Sequence, residues 1–252
     1  MTFGTIGLRR VNHHEVRTMN NVEIEIEFIQ KNIKNLLEIA VPSYGLCEYA
    51  VQLNPKAILY MNQYYEDLYL LGLSKCGDLL RYIRHQNDPL CLAAVSDEGL
   101  ALRYVQQQTE QICLAAVKNN GFALKYVKQL TPEIALQAIS THPLAIKYLK
   151  QPTLEMWQLA LSKNGLILEL LKEKTEDLCL LAIKNNANAI QFVDSPSDRL
   201  CIEAVKRKPH AIRHIKKPSE QVCLIALRRN PKLIDSIQCI NLKQRILNKV
   251  NL

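Results

Sequence analysis

The chain has 252 residues, of which 48% are hydrophobic and 22% charged, and its formal net charge at pH 7 is +8. The apolar fraction supplies ample material for a continuous core, and no apolar run approaches the roughly 18 residues of a membrane span, which excludes a membrane-spanning helix. The polar run after Leu8 lacks the basic-then-apolar pattern of a secretory signal, so we expect a soluble, intracellular and most simply cytoplasmic protein.

Residues 1–41 predict a polar N-terminal segment followed by a capping helix. Residues 1–21 are polar, and Val22–Phe28 alternates apolar and acidic side chains as a strand would. Ile29–Ala40 has helical spacing instead. We favour one capping helix over Glu25–Ala40.

From Pro42 to Cys239 the sequence repeats every 22 residues, nine times, without insertion or deletion. A fixed period of about 20–50 residues is the signature of a repeat array. The sequence therefore predicts an all-α fold, an α-solenoid of nine 22-residue helix-turn-helix repeats over residues 42–239 with helical caps. The clearest column holds a small residue in every repeat: Ala50, Gly72, Ala94, Ala116, Ala138, Ala160, Ala182, Ala204 and Ala226.

Each repeat is predicted to hold two short helices. Its first residue is Ser, Thr or Asn in eight of nine repeats, side chains that accept from the free N–H groups of a helix start, and acidic residues follow. About ten residues later comes a breaker column of Gly, Pro or Ala. We interpret its glycines as left-handed residues past a helix end and its prolines as the first residue of the second helix. That second helix is predicted to have about eight residues.

The small column and an aromatic column are both predicted to pack between helices. The small column predicts a close helix crossing, where a leucine would overpack by about 1–3 kcal/mol. An aromatic column is interpreted as a ladder in the core, because Leu and Phe replace Tyr in it, and a base-stacking platform is the alternative. Its members are Tyr60, Tyr82, Tyr104, Tyr126, Tyr148, Leu170, Phe192 and His214.

The phase of the repeat is lost after Cys239. Asn241 is a candidate cap for a last helix over Leu242–Val250. Residues 240–252 therefore predict a C-terminal capping helix.

The cysteines are expected to be free thiols. Equivalent positions of stacked helices lie roughly 8–10 Å apart, whereas a disulfide needs Cα atoms within about 7 Å. We therefore expect small buried thiols, no disulfide partner and a reducing compartment. Six of the eight cysteines share one column: Cys47, Cys91, Cys113, Cys179, Cys201 and Cys223.

Several repeats resemble an uncharacterised helical-repeat family whose units read L-C-L-x-A-V-x-x-N-G-x-A-L-x-Y-V. The segments that carry the resemblance are Leu90–Val95, Gly99, Ala101–Val105 and Leu178–Asn186. The family is catalogued as a domain of unknown function and occurs in giant viruses, protists and some intracellular bacteria. The resemblance extends over residues 42–239, implies a helical repeat, and assigns no catalytic residue.

Basic side chains recur in two columns of the second helix, three residues apart, so stacking would align them in a stripe along the array. Glu169, Asp194 and Asp235 interrupt these columns. One interpretation is a rail for nucleic acid or another polyanion; the other is that cations favour the last turn of every helix. The candidate basic stripe consists of Arg81, Arg84, Arg103, Lys125, Lys128, Lys147, Lys150, Lys172, Arg213 and Lys216.

One position of the first helix changes chemical character from repeat to repeat. A variable position within a strict repeat is normally solvent-facing and in solenoids often lines the binding surface, whereas drift on an idle surface is the alternative. The candidate partner-binding residues on this variable face are Tyr49, Leu71, Gln137, Leu159, Leu181 and Glu203.

No motif in the sequence predicts a catalytic, cofactor-binding or metal-binding site. His210 and His214 have the spacing of two metal ligands on one α-helix face, but no third ligand accompanies them, and we expect His214 to be a packed core residue. We therefore expect a non-catalytic scaffold, without a cofactor, that binds another protein along an extended surface. Nucleic-acid or polyanion binding through the basic stripe is the alternative.

Overall fold

The structure, a computed structural model, describes residues 13–237 and 243–246, with side chains from residue 22 onward. It divides into two compact units, Met1–Ala115 and Ala116–Leu252. Apart from residues 243–246, which are helical, the predicted C-terminal capping helix lies outside the described residues. The predicted polar segment lies outside them up to residue 12.

The described residues form α-helices that alternate with 3₁₀ helices, and no strand occurs among them, which confirms the predicted all-α solenoid class. The α-helices are α1 (His13–Lys31), α2 (Tyr44–Leu53), α3 (Glu66–Lys75), α4 (Asp88–Asp97), α5 (Glu110–Asn119), α6 (Pro132–Thr141), α7 (Leu154–Lys163), α8 (Glu176–Asn185), α9 (Asp198–Arg207) and α10 (Glu220–Arg229). The 3₁₀ helices are η1 (Ile33–Glu38), η2 (Pro55–Leu59), η3 (Gly77–Tyr82), η4 (Gly99–Tyr104), η5 (Gly121–Tyr126), η6 (Pro143–Tyr148), η7 (Gly165–Leu170), η8 (Ala187–Phe192), η9 (Pro209–His214) and η10 (Pro231–Ser236).

The N-terminal cap differs from the single helix expected over Glu25–Ala40. The α-helix ends at Lys31, and η1 begins at Ile33. Between them Asn32 is extended, with φ −159° and ψ 119°, and its side chain accepts a hydrogen bond from the backbone N–H of Lys34. An asparagine that caps a new helix in this way competes with continuation of the old one.

The repeat α-helices begin where the sequence predicts. In eight repeats the Ser, Thr or Asn side chain at the first position accepts a hydrogen bond from the backbone N–H three residues later, which satisfies one of the free donors of the helix start. Tyr65, in the same column, makes no such bond. The capping residues are Ser43, Asn87, Thr109, Thr131, Thr153, Thr175, Ser197 and Ser219.

The second helix of each repeat is a 3₁₀ helix rather than a longer regular helix. In η5 the Ala123 N–H donates to the carbonyl of Asn120 at 2.8 Å, and the Val127 N–H donates to that of Leu124 at 3.2 Å, which is the i→i+3 pattern. A 3₁₀ helix rises about 2.0 Å per residue, so six residues span about 12 Å, whereas six α-helical residues span only about 9 Å. The six-residue 3₁₀ helix is therefore nearly as long as the ten-residue α-helix of the same repeat, which spans about 15 Å.

The breaker glycines are required by close packing and not by a left-handed backbone. None of Gly77, Gly121 and Gly165 has a positive φ, which corrects the prediction of left-handed helix ends. Each of them instead lies against the small column of the following repeat. An ideal Cβ at Gly77, Gly121 and Gly165 would lie 2.1, 2.4 and 2.1 Å from the carbonyl oxygens of Ala94, Ala138 and Ala182.

The same glycines also bind the following repeat through their backbone N–H groups. These N–H groups start a 3₁₀ helix and have no partner inside it. A side chain at the end of the next α-helix accepts from each of them, so consecutive repeats are joined by a hydrogen bond as well as by packing. The donor–acceptor pairs are Gly77 with Asp97 Oδ2 at 2.8 Å, Gly121 with His142 Nδ1 at 2.9 Å, and Gly165 with Asn185 Oδ1 at 2.7 Å.

The core consists of the inward faces of both helices in each repeat. The small column is buried, and so are the six thiols of the cysteine column, of which Cys91 and Cys201 are only 2% and 3% exposed. In the second unit the buried side chains form one continuous cluster from Ala135 to Ile246. Among the described residues no polar or charged residue is buried, so their charged side chains all reach the surface.

Candidate functional site

All ten residues of the basic stripe are exposed, but they belong to two kinds of local structure. The column that contains Lys125 and Lys147 lies on the 3₁₀ helices. The column that contains Lys128 and Lys150 lies beyond the ends of these helices, in the segments that lead to the next α-helix. The prediction that both columns share one helix face is therefore wrong, because the second helix ends two residues before Lys128.

The two columns nevertheless meet at a groove in the second unit, which we call the lysine groove. It has a volume of about 590 Å³ and lies between η5 and the start of α6 on one side and the end of η6 on the other. Val127, Leu149 and Met156 are among its apolar lining residues. Its polar and aromatic lining consists of Lys125, Lys128, Lys150, Thr131, Gln151 and Tyr148.

A second groove in the same unit uses the same columns four repeats further along, and we call it the arginine groove. It has a volume of about 650 Å³, and Arg213 and Lys216 line it, as Lys125 and Lys128 line the first. Lys217 and Arg245 add two more cations. Where the lysine groove has Tyr148, the arginine groove has Ser236, which accepts a hydrogen bond from Arg213 Nε at 3.3 Å.

Acidic residues separate the two grooves. Glu169 replaces the cation of the first column, Asp194 replaces that of the second, and both are exposed. Of the candidate stripe only Lys172 remains between them. In the second unit the stripe is therefore two local patches of positive charge rather than a continuous rail.

In the first unit the stripe contains Arg81, Arg84 and Arg103. Arg103 Nη2 lies 3.1 Å from Asp78 Oδ1 of the preceding 3₁₀ helix, and both side chains are partly exposed. This pair joins two consecutive repeats and neutralises part of the positive charge of this unit. In the second unit Phe122 of η5 stands at the position equivalent to Asp78, and its counterpart of Arg103 is Lys147.

The aromatic column is exposed or half-buried, so the predicted core ladder is wrong. Tyr82 is 56% exposed and Tyr148 is 37% exposed. In η5 the column residue Tyr126 is the last residue of the 3₁₀ helix and is half-buried, whereas Ala123 and Leu124 of the same helix are buried.

Each of four tyrosines in this column lies beneath the cation that precedes it. The distances from the charged group to the ring centroid fall within the range of cation–π interactions. Tyrosine and cation thus form one combined surface feature in each repeat. The pairs are Arg81 with Tyr82 at 4.8 Å, Arg103 with Tyr104 at 4.6 Å, Lys125 with Tyr126 at 4.6 Å, and Lys147 with Tyr148 at 5.1 Å.

Tyr148 is held in place by a second ring. Phe122 of η5 meets it edge to face, with centroids 6.4 Å apart, and also packs against the ring of His142 at 4.8 Å. Lys147 Nζ lies 5.9 Å from the Phe122 centroid as well. Tyr148 therefore presents an orientated, accessible ring at the lysine groove.

The six residues of the variable face are all half-buried rather than freely exposed: Tyr49, Leu71, Gln137, Leu159, Leu181 and Glu203. Three of them have partners within the chain, and Gln137 Nε2 donates to Thr141 Oγ1 at 3.4 Å. The Tyr49 hydroxyl accepts a hydrogen bond from Gln30 Nε2 at 2.7 Å, and Glu203 forms an ion pair with Arg207 at 2.6 Å.

In the second unit three residues of this face lie in a pair of shallow grooves across α6, α7 and α8, which we call the leucine face. The grooves have volumes of about 490 and 650 Å³ and share Leu136, Glu155 and Leu159. Gln137 lines the first of them and Leu181 the second. The full set of charged lining residues is Glu133, Glu155, Asp177 and Lys184.

The histidine pair does not form a metal-binding face. His210 and His214 are both exposed, which corrects the expectation of a packed His214. They lie on η9, and in a 3₁₀ helix residues four apart point about 120° away from each other, so the α-helical ligand spacing does not apply. Within the described residues no group of His, Cys, Asp or Glu is arranged to hold a metal ion.

The seven cysteines within the described ranges are free, in agreement with the prediction of no disulfide partner. Burial raises the pKa of Cys91 and Cys201 to about 11, with a smaller contribution from the nearby carboxylates of Asp88 and Asp198. These thiols are therefore protonated at neutral pH and act as small apolar side chains.

The sequence did not indicate every residue of these grooves. Lys217 and Arg245 lie outside the two basic columns, and Arg245 also lies beyond the repeats, so no periodic signal marks them. Leu136 and Leu180 lie one residue before the variable column. That preceding position is apolar in several repeats, so the sequence alone predicts a core residue there. No helix in the part of the chain that the structure describes is long and apolar enough to cross a membrane.

This architecture defines a helical-repeat protein. The model of a family described as "Domain of unknown function (DUF4116)" matches residues 109–154, which span the fourth and fifth repeats. No curated protein and no solved structure matches the chain significantly. The family match agrees with the resemblance drawn from the sequence over these two repeats and assigns no activity to them.

Proposed function

We propose that the chain is a non-catalytic binding protein whose leucine face accepts a polypeptide partner. The observation that carries the proposal is the continuity of this face across three successive α-helices. Leu136, Leu159 and Leu181 are all half-buried and lie at its base, so each retains apolar surface in contact with water. Covering such surface on binding contributes favourable free energy of about 25 cal/mol per Å².

The charges around the leucine face favour a basic partner. Glu133, Glu155 and Asp177 contribute three carboxylates, against the single ammonium group of Lys184. An amphipathic segment with apolar residues on one side and Lys or Arg at its edges complements both features, as in other complexes where a helix lies in an apolar groove.

The distribution of perturbed groups supports a binding role without catalysis. Catalytic residues commonly combine a cleft with a strongly shifted pKa. The raised pKa values of Tyr44, Tyr64, Tyr69, Cys47, Cys91, Cys179 and Cys201 belong to residues outside the lysine groove, the arginine groove and the leucine face.

Selection of peptides from a random displayed library tests the proposal. Leu159→Gln and Leu181→Glu in one variant introduce residue types that Gln137 and Glu203 already provide at this position of the repeat, so the fold is expected to persist. We expect wild-type protein to enrich peptides that combine Leu or Ile with Lys or Arg, and the variant to bind them at least about tenfold more weakly.

Leu71→Gln is the matched control, because it changes the same column in the first unit, away from the leucine face. It should bind the selected peptides like the wild type. If no peptide family is enriched, or if the double variant binds as tightly as the control, the leucine face is not a polypeptide site.

Two wider proposals accompany this function. The buried, protonated thiols suit a reducing compartment, so we place the protein inside the cell. The seven repeats outside the matched pair share its columns, so we assign the whole of residues 42–239 to the same kind of repeat unit.

A further inference from the structure

We propose that the lysine groove is a binding site for single-stranded nucleic acid, in which the lysines contact phosphates and Tyr148 stacks on a base. This site is separate from the leucine face and does not depend on the polypeptide partner. It combines four features of the second unit: three lysines in the lining, an accessible ring, a hydrogen-bonding side chain and a concave shape.

The charge of the groove is the first part of the argument. Lys125, Lys128 and Lys150 all line it, and no acidic residue does. The preference of cations for helix ends explains Lys125, which lies in the last turn of η5. It does not explain Lys128 and Lys150, which lie in the connecting segments, where the effect of the helix dipole has fallen off.

The ring is the second part. Proteins that bind single strands without reading their sequence combine a positive groove with aromatic side chains on which bases stack. Tyr148 meets this requirement, because it is 37% exposed although the Phe122 ring packs perpendicular to it. A duplex keeps its bases stacked on one another and offers none to such a ring, which favours a single strand over a double one.

The shape and the remaining side chains complete the site. A volume of about 590 Å³ lies in the range of small-molecule binding pockets, which suits one nucleotide of a longer strand. Gln151 provides an amide for polar contacts with the sugar or base. The arginine groove differs in two ways: Glu220 adds a carboxylate to its lining, and Ser236 replaces the tyrosine, although the smaller ring of His214 also lines it. We therefore assign base stacking on a tyrosine to the lysine groove.

Fluorescence anisotropy with a labelled 15-nucleotide single-stranded DNA of mixed sequence tests the charge. The variant with Lys125→Gln, Lys128→Gln and Lys150→Gln should bind more weakly, and the slope of log K against log salt should fall by about 2, since each phosphate contact of a single strand contributes about 0.7. The control with Lys163→Gln, Lys206→Gln and Arg228→Gln removes the same charge from exposed positions outside both basic grooves and should leave the slope unchanged.

The ring has its own test. Tyr148→Leu copies Leu170, the natural residue of the same column in η7, so the fold is expected to persist. We expect this variant to lose about 5- to 140-fold in affinity for the single strand, as truncation of a stacking residue does, and Tyr148→Phe to retain it.

The same binding measurement with the matching duplex, with heparin and with polyglutamate tests three other kinds of ligand. The proposal is overturned if the single strand does not bind at low salt, or if Tyr148→Leu binds it like the wild type. It is also overturned if heparin or the duplex binds as tightly as the single strand and depends equally on the three lysines. The groove would then bind polyanions through charge alone. Tighter binding of polyglutamate would make it a site for acidic polypeptides instead.

Discussion

At the scale of single residues, the repeats are joined by contacts that only the smallest side chains permit. Gly165 lies against the backbone of Ala182 in the following repeat, and its N–H donates to Asn185 of the same helix. The side chain of Asn185 returns a hydrogen bond to the carbonyl of Ser162 at 2.8 Å. Packing and hydrogen bonding between α7, η7 and α8 therefore depend on one glycine and one asparagine.

Gly165→Ala should reduce the free energy of unfolding by about 1–3 kcal/mol, because a Cβ placed 2.1 Å from the Ala182 carbonyl oxygen forces two backbones apart. Urea denaturation followed by circular dichroism measures the change. Gly45→Ala is the control: no heavy atom lies within 4 Å of its Cβ position, and it lies in α2, so its stability should be unchanged or rise by up to about 1 kcal/mol. Equal effects of the two substitutions would contradict the packing role.

The buried thiols give a second prediction at this scale. With a pKa of about 11, Cys91 and Cys201 should carry about 100-fold less thiolate at pH 8 than a thiol of pKa 9, so they should react slowly with a disulfide reagent in the native protein. The half-buried Cys76 should react faster, and denaturant should abolish the difference. Rapid reaction of Cys91 or Cys201 in the native protein at pH 8 would show that the column opens to solvent.

The same shift couples folding to pH. Because folding raises the pKa of these thiols from 9.0 to about 11, their contribution to stability is complete below pH 9 and is lost as the pH rises towards 11. The free energy of unfolding should therefore fall over this interval, and Cys91→Ser together with Cys201→Ser should reduce the slope of that fall. Denaturation curves at several pH values measure the slope in both proteins.

At the scale of the elements, the start of each α-helix follows from sequence and its 3₁₀ partner does not. A Ser, Thr or Asn before an acidic residue accepts a hydrogen bond from a free N–H group of the same helix start. This interaction is local, so the sequence alone predicts where the helix begins. The choice of a 3₁₀ helix depends on the distance that six residues must span between two connections, and that distance is set by packing. The cap of α8 illustrates the local part: Thr175 Oγ1 accepts from the Leu178 N–H.

Thr175→Ala should cost about 1 kcal/mol of stability, because it leaves one more N–H at the start of α8 without a partner in the protein. Ser140→Ala is the matched control, since Ser140 is exposed within α6, where alanine has the higher helix propensity. Thermal unfolding compares the two variants, and a larger loss in the control would contradict the capping role.

At the scale of the whole chain, an uninterrupted period means that every repeat presents the same columns to its neighbours. Deletion of one complete repeat, residues 153–174, keeps these columns in register and should leave a cooperatively folding protein of lower melting temperature. Deletion of residues 153–163 removes half a repeat, shifts all following columns out of phase and should abolish cooperative unfolding of the second unit. Circular dichroism with temperature distinguishes these outcomes, and similar behaviour of both deletions would contradict a register-dependent core.

The two faces of the second unit differ in chemistry for a simple reason. The helices α6 to α10 each have an acidic residue in the first turn, so the outer grooves gather Glu155 and Asp177. Cations such as Lys147 and Lys150 lie instead on the 3₁₀ helices and in the segments after them. A strict repeat places like residues side by side, and local preferences thereby become patches of opposite charge. These patches are the physical basis for assigning two different ligands to one unit.

The sequence by itself determined the period, the helix starts, the buried small and cysteine columns and the positions of the basic residues, because each depends on a local rule repeated nine times. Only the tertiary structure decided that the glycines serve close packing, that the tyrosine column is not part of the buried core and that Lys128 lies beyond its helix. These properties depend on distances between neighbouring repeats, and a one-dimensional pattern does not contain those distances. The grooves were likewise decided by the tertiary structure, because each is formed by residues about 22 positions apart that become neighbours only when the repeats stack.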